Sequence, residues 1–212
     1  VPATLARGAD VVPIDAGAGM ATQHIPVGPV APMVAVKQLG TNGGGWYGPN
    51  GEMALENPTP FSSFFNTVFL ILIPIGCVAM IGPFTGRRRL STFVFATMLG
   101  MSLASSAAML ALESHTAASA GPLAMEGKEV RLGVDASAVY GALTTQTSNG
   151  SVIGMHDSYA PLSGGVEMVD MLINGIWGGI GFGALQFFVY VLLAVFLAGL
   201  MTGRTPELFG RK

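Results

Sequence analysis

The chain has 212 residues, of which 50% are hydrophobic and only 10% are charged, and its formal net charge is −2. Soluble domains carry about 25% charged residues, so this composition predicts a membrane protein rather than a soluble one. The slightly acidic balance argues against nucleic acid as a partner, and the single cysteine, Cys77, excludes an internal disulfide.

The first part of the chain contains one apolar span behind a short helix and a polar turn. Residues 1–26 carry no recognisable motif, and we assign them to an outer loop segment. Val30–Leu39 is a short helix candidate, and Thr41-Asn42-Gly43-Gly44 follows it directly. The uncharged run from Phe61 to Phe84 is long enough to cross a hydrocarbon core ~30 Å thick. Residues 27–90 therefore form one unit of pore helix, filter turn and inner span.

The second part, residues 91–212, repeats this order and adds a preceding span. The stretch from Met171 to Gly203 is too long for one straight crossing, so we expect a break in its glycine-rich part. Gly175, Gly179 and Gly183 lie there, and they fit either a broken, gating helix or close helix packing. The predicted parts are a span (91–112), an outer loop (113–131), a pore helix (132–146), a filter (147–151), a broken span (165–203) and a cytoplasmic end (204–212).

Basic residues set the predicted orientation. Arg87–Arg89 follow the first span, and Arg204, Arg211 and Lys212 follow the last one. One outward and one inward crossing separate the two clusters, so both lie on the same side. The positive-inside rule makes that side the cytoplasm and puts residues 1–60 and 113–165 outside.

Two short polar turns occupy matching places in the two units. The first is Thr41-Asn42-Gly43-Gly44 and the second is Thr147-Ser148-Asn149-Gly150, with the two asparagines 107 positions apart (149 − 42). Glycine reaches positive φ without a Cβ penalty, so successive carbonyl oxygens can turn toward one axis and replace the water shell of an ion. The pattern therefore predicts two re-entrant segments of an ion filter, each behind a pore helix.

Other interpretations of these residues stay open from the pattern alone. A Gly-rich surface turn has the same composition, and a phosphate loop would need the Lys-Ser/Thr of a Walker motif, which is missing. Asn149-Gly150-Ser151 also matches a glycosylation sequon, which would need an exposed loop. His156 and Asp157 adjoin each other after the second turn, and either an acid–base pair or a hydrogen-bonded brace at the outer mouth is conceivable. We favour the brace, because no nucleophile lies at a suitable spacing.

Six segments, in one order along the chain, closely resemble the potassium-binding, channel-like subunit of the Kdp potassium-transporting ATPase. They cover the chain from about Val27 to Lys212. They are Leu39–Gly45 (LGTNGGG), Glu56–Thr59 (ENPT), Glu126–Arg131 (EGKEVR), Ser148–Ser151 (SNGS), Met155–Ser158 (MHDS) and Gly199–Glu207 (GLMTGRTPE).

The resemblance implies an all-α polytopic membrane protein built from helix–pore loop–helix repeats of the potassium channel and transporter superfamily. That family has four such units, of which this chain matches the second and third, so we expect an incomplete set and a piece of a longer polypeptide. It also implies that Glu56 lies at the outer mouth, although Glu56 could instead only solvate a loop. Arg204 and Glu207 would face a P-type ATPase subunit, although Arg204 could instead anchor the helix end at the interface.

The expected function is potassium binding and conduction in an ATP-driven uptake complex of the bacterial plasma membrane. The chain would catalyse no reaction and would hold no covalent cofactor, with potassium as its substrate. Its partners would be lipid, the catalytic P-type subunit and small accessory membrane subunits. A passive potassium channel or symporter, and a non-conducting membrane scaffold, are the alternatives.

Overall fold

The computed structural model of the chain describes residues 9–13, 22–26, 28–48 and 51–208. An antiparallel hairpin of β1 (Ala9–Pro13) and β2 (Thr22–Pro26) pairs Asp10 with Ile25 and lies in the segment assigned to an outer loop. Beyond this hairpin, the elements of the described chain are helical. They are α1 (Val30–Leu39), α2 (Pro60–Ala79), α3 (Ile81–Thr85), α4 (Arg88–Ala120), α5 (Gly133–Gln146), α6 (Pro161–Ile173) and α7 (Phe182–Thr202), with short 3-10 turns at Gly121–Met125 and His156–Ser158.

Three helical segments of the described chain are long and apolar enough to cross a membrane: Pro60–Thr85, Arg88–Met125 and Phe182–Thr202. The first begins at a capping box, in which the Thr59 and Ser62 side chains each accept a hydrogen bond from the other's backbone N–H. This arrangement satisfies backbone donors that the first helical turn leaves free. Each of the three uncharged runs therefore contains one helix of membrane length.

The second span is longer than predicted. Helix α4 runs to Ala120 instead of ending near Leu112, so the predicted outer loop 113–131 begins as about two further helical turns. The extension is stabilised by Glu113, which is fully buried, lies 3.1 Å from the Lys128 ammonium and accepts a hydrogen bond from Ala160 N at 2.7 Å. The helix ends at Gly121, whose φ is +59°.

The last long apolar stretch is broken between α6 and α7. Helix α6 ends at Ile173, where Asn174 adopts φ +46°, and Gly181 precedes α7 with φ +77°. Trp177 anchors the break, because it is 2% exposed and stacks edge-on against Phe95 with a centroid distance of 5.5 Å. The aromatic ring thus joins the broken segment to the apolar core formed with α2 and α4.

The structure divides the predicted glycine pattern between two environments. Gly175 and Gly179 lie in the irregular segment, whereas Gly183 lies in the first turn of α7. A Cβ on Gly183 would overlap the Trp177 carbonyl oxygen. The three glycines therefore do not form one continuous helical stripe, and helix α6 begins at Pro161, four residues before the predicted start at 165 (165 − 161).

Candidate ion filter

The two polar turns have the same backbone conformation. Thr41 and Ser148 both adopt positive φ, at +51° and +54°, and Gly43 and Gly150 follow at +70° and +82°. Positive φ is uncommon for residues other than glycine, so its recurrence at equivalent positions marks a true structural repeat. Three backbone hydrogen bonds recur in the two turns, with donor and acceptor both shifted by 107 positions. In the first turn they run from Gly40 N to Val36 O, from Thr41 N to Gln38 O and from Asn42 N to Lys37 O. In the second turn they run from Thr147 N to Leu143 O, from Ser148 N to Thr145 O and from Asn149 N to Thr144 O.

These bonds close the C-terminal ends of α1 and α5. The asparagine N–H in each turn reaches back five residues to a helix carbonyl, as in a Schellman motif, while the preceding residue adopts the left-handed conformation. Helices α1 and α5 occupy the segments predicted as pore helices. Each helix therefore directs its C-terminal end into one of the two polar turns.

The two turns touch each other. A Cβ on Gly43 would overlap the Asn149 carbonyl oxygen and lie 2.9 Å from Ser151 N. The structure thus brings Thr41–Gly44 and Thr147–Gly150 together, although more than 100 residues separate them. Such a close backbone approach needs a residue without a side chain at Gly43.

A buried polar network joins the two turns. The Gln38 side chain on α1 accepts a hydrogen bond from Asn149 Nδ2 at 3.1 Å. It donates to Tyr140 OH at 2.7 Å and to Ser151 Oγ at 3.3 Å. All four residues are buried, and the most exposed of them, Asn149, has 4% of its surface accessible. Sequence reasoning missed Gln38 and Tyr140; the signal available was a polar side chain in a short apolar helix directly before the turn.

The helix break lies against both turns. Gly178 N donates to the Gln146 carbonyl at 2.9 Å, and Ser148 Oγ donates to Asn174 Oδ1 at 3.0 Å. A Cβ on Gly179 would lie 3.1 Å from Thr41 Oγ1. The predicted gating segment and the predicted filter are therefore in direct contact.

One side of the second turn opens onto a groove of about 910 Å³, lined by Ser148, Gly150, His156 and Asp157 together with α6. Among the described residues, nothing lies within 4 Å of a Cβ placed on Gly150. Likewise Asn42 is exposed, whereas its equivalent Asn149 is buried. In the described part of the chain, the two turns form an arc rather than a closed ring.

Glu56 is a buried structural residue beside the segment that follows the first turn. It is 1% exposed, forms an ion pair with Lys37 on α1, and accepts a hydrogen bond from Trp46 N at 2.6 Å. The interpretation that Glu56 only solvates a loop is therefore wrong. Burial of a paired charge with further hydrogen bonds fixes the course of the chain after Gly44.

His156 and Asp157 are both exposed, but His156 does not pair with its neighbour. Its Nδ1 lies 2.8 Å from Glu167 Oε1 on α6. The brace therefore connects the loop after the second turn to α6. Nearby, burial raises the pKa of the Tyr159 phenol, and the Glu167 charge raises it further.

Arg131 joins the loop before α5 to the loop before α2. Its guanidinium donates to the carbonyl oxygens of Asn57, Pro58 and Glu52 at 2.9, 3.1 and 2.8 Å. Its Nε donates to Glu129 Oε1 at 2.9 Å, and this hydrogen bond lowers the pKa of the Glu129 carboxyl. The forked side chain suits several acceptors at once.

Arg204 and Glu207 are exposed beyond the end of α7. Gly203 ends that helix with φ +64°, and Arg204 N donates to the Gly199 carbonyl at 3.0 Å. Arg211 and Lys212, which helped to set the predicted orientation, lie outside the described residues.

Comparison with known proteins identifies the family. The curated relatives are named potassium-transporting ATPase potassium-binding subunit; the chain is 45% identical to that of Bacteroides fragilis over 197 residues and 45% identical to that of Pseudomonas putida over 201 residues. These alignments cover 90% and 91% of the chain, which spans only 35% of the length of each relative. A family model described as "Potassium-transporting ATPase A subunit" matches residues 1–212. The chain, a multi-pass membrane protein, therefore belongs to the potassium-transporting ATPase A subunit family.

Proposed function

We propose that this chain supplies two adjacent segments of a potassium filter in an ATP-driven uptake complex of the bacterial plasma membrane. The observation that carries the proposal is the repeated geometry of Thr41–Gly43 and Ser148–Gly150, whose backbones meet at Gly43. The names of the relatives support potassium as the ion.

The mechanism follows from ion solvation. A potassium ion loses water at the outer mouth and is held by backbone oxygens of the two turns, Thr41–Gly44 and Thr147–Gly150. The C-terminal ends of α1 and α5 carry partial negative charge, roughly half an electron each, which favours a cation. No covalent bond is made or broken here, and no covalent cofactor takes part, because potassium is the substrate.

Passage below the filter would be controlled by the break at Gly175, Gly179 and Gly183. Irregular backbone at membrane depth is tolerated where it is buried in protein or lines water. The hydrogen bonds from Gly178 N to Gln146 O and from Ser148 Oγ to Asn174 couple this segment to the second turn. A shift of the break would therefore alter the lower side of the filter.

ATP hydrolysis would belong to a separate P-type subunit, with small accessory membrane subunits and lipid as further neighbours and no nucleic acid. Arg204 and Glu207 are exposed after α7, at the end predicted to be cytoplasmic. They are the residues in this chain that we propose for coupling to the catalytic subunit. At the outer mouth, Glu56, His156 and Asp157 would shape the approach to the filter.

Potassium uptake by cells that lack other potassium importers tests the proposal. Cells expressing the complete complex should grow at low external potassium and take up the ion, and a partner subunit unable to hydrolyse ATP should abolish uptake. Uptake that persists without hydrolysis would favour a passive channel or symporter. Absence of potassium-dependent ATP hydrolysis in an assembled complex would favour a non-conducting scaffold.

A further inference from the structure

We propose that Gln38 is a positioning residue that determines ion selectivity by connecting the two filter turns. The proposal rests on the function proposed above and concerns the same filter. Gln38 lies on α1 of the first unit, whereas its three side-chain partners, Tyr140, Asn149 and Ser151, belong to the second.

The Gln38 amide uses both of its donors and its acceptor within this network. A primary amide has two N–H donors and one carbonyl oxygen. The donors meet Tyr140 OH and Ser151 Oγ, and the oxygen accepts from Asn149 Nδ2. Tyr140 OH and Ser151 Oγ also lie 3.1 Å apart, so the partners restrain one another. With every one of these groups buried, the orientation of the Gln38 amide is fixed.

Gln38 acts on the filter through Asn149. The Asn149 amide is held at both ends, since Nδ2 donates to Gln38 and Oδ1 accepts from Ser151 N at 3.0 Å. The backbone carbonyl of the same residue lies against Gly43 in the other turn. Loss of the Gln38 acceptor leaves a buried N–H without a partner, and the turn must rearrange to satisfy it. Because an ion site senses carbonyl direction, such a rearrangement changes affinity unequally for ions of different size.

The equivalent position in the second unit carries a different side chain. The position equivalent to Gln38 in the second unit is Thr145 (38 + 107). Its hydroxyl donates to Gly141 O and Ala142 O within its own helix and lies 3.4 Å from Asp170 Oδ2. A single hydroxyl cannot make the three contacts that the Gln38 amide makes, so this network is not repeated by the residue at the equivalent position.

The test compares potassium and rubidium uptake by the complete complex carrying Gln38→Met, a substitution of similar size without hydrogen-bonding groups. The apparent KM for potassium should rise about tenfold, and the ratio of the rubidium KM to the potassium KM should fall toward one. Tyr140→Phe removes a single partner and should shift the same ratio about threefold. Ser102→Ala is the matched control, because it removes a buried hydrogen bond of 2.6 Å to Gln146 on the side facing α4. It should reduce stability without changing the ratio.

An assembled Gln38→Met complex with the parental ratio would overturn the inference and leave the proposed function intact, since Gln38 would then be an ordinary buried glutamine. If Gln38→Met does not assemble, Tyr140→Phe decides: a parental ratio there also overturns the inference. A parent complex that takes up no potassium would overturn the proposed function together with the inference.

Discussion

Replacing Gly43 by alanine tests whether the two polar turns, which we propose as filter segments, touch each other. The new Cβ would overlap the Asn149 carbonyl oxygen and lie 2.9 Å from Ser151 N, whereas ordinary contact begins near 3.4 Å. The shortfall at Ser151 N alone is 0.5 Å (3.4 − 2.9), and the turns must separate by more than this because the Asn149 carbonyl oxygen lies nearer still. Both neighbours are backbone atoms, so no side chain can rotate away.

The cost has two parts. A Cβ at the left-handed φ of Gly43 costs about 1–2 kcal/mol, and forcing extra volume into a packed site costs about 1–3 kcal/mol. The two terms sum to about 2–5 kcal/mol. If all of this strain weakens binding at the proposed ion site, the affinity for potassium falls by at least about thirtyfold. We expect the apparent KM for potassium uptake to rise by that factor while the complex still assembles.

Two alanine substitutions serve as controls in the same uptake assay. Gly48 has open space around its Cβ direction among the described residues and no positive φ, so Gly48→Ala should leave the KM unchanged. Gly150 also faces open space but has φ +82°, so Gly150→Ala should give an intermediate loss. A parental KM for Gly43→Ala would refute the contact between the turns. A loss at Gly150 equal to that at Gly43 would show that another segment of the complete protein occupies the groove.

Three further predictions concern other parts of the chain. In a background without the natural cysteine, a cysteine at Ser119 should react with an impermeant thiol reagent outside the cell and one at Thr85 should not; the reverse would contradict the orientation. Glu56→Gln should lower the free energy of unfolding by about 3–5 kcal/mol, because Lys37 stays buried without its counter-charge; a loss under about 1 kcal/mol would indicate a solvated pair. Trp177→Ala should lower the free energy of unfolding by about 3–5 kcal/mol and lower the Tm of the complex, because it leaves a cavity in the core. An unchanged Tm would contradict the anchoring role of Trp177.

The sequence alone predicted the features that depend on local chemistry. Uncharged runs of membrane length specify spans, and α2 with α3 occupies the run from Phe61 to Phe84 almost residue for residue. Val30–Leu39 was predicted from the pattern and occurs with those bounds. The break before Phe182 also follows from composition. The stretch is too long for one straight crossing, and its glycines destabilise a continuous helix.

Only the tertiary structure decided which of these parts meet. Gln38 and Asn149 are 111 residues apart, and no local pattern indicates that their amides pair. Glu56 could not be recognised as buried until Lys37 and the backbone of Trp46 were seen around it. Such contacts depend on how two units pack against each other, and the free energy of a buried polar group is set by its partners rather than by its neighbours in sequence. The sequence determined two similar polar turns, and the packing of α1 against α5 and the second turn brought them into contact.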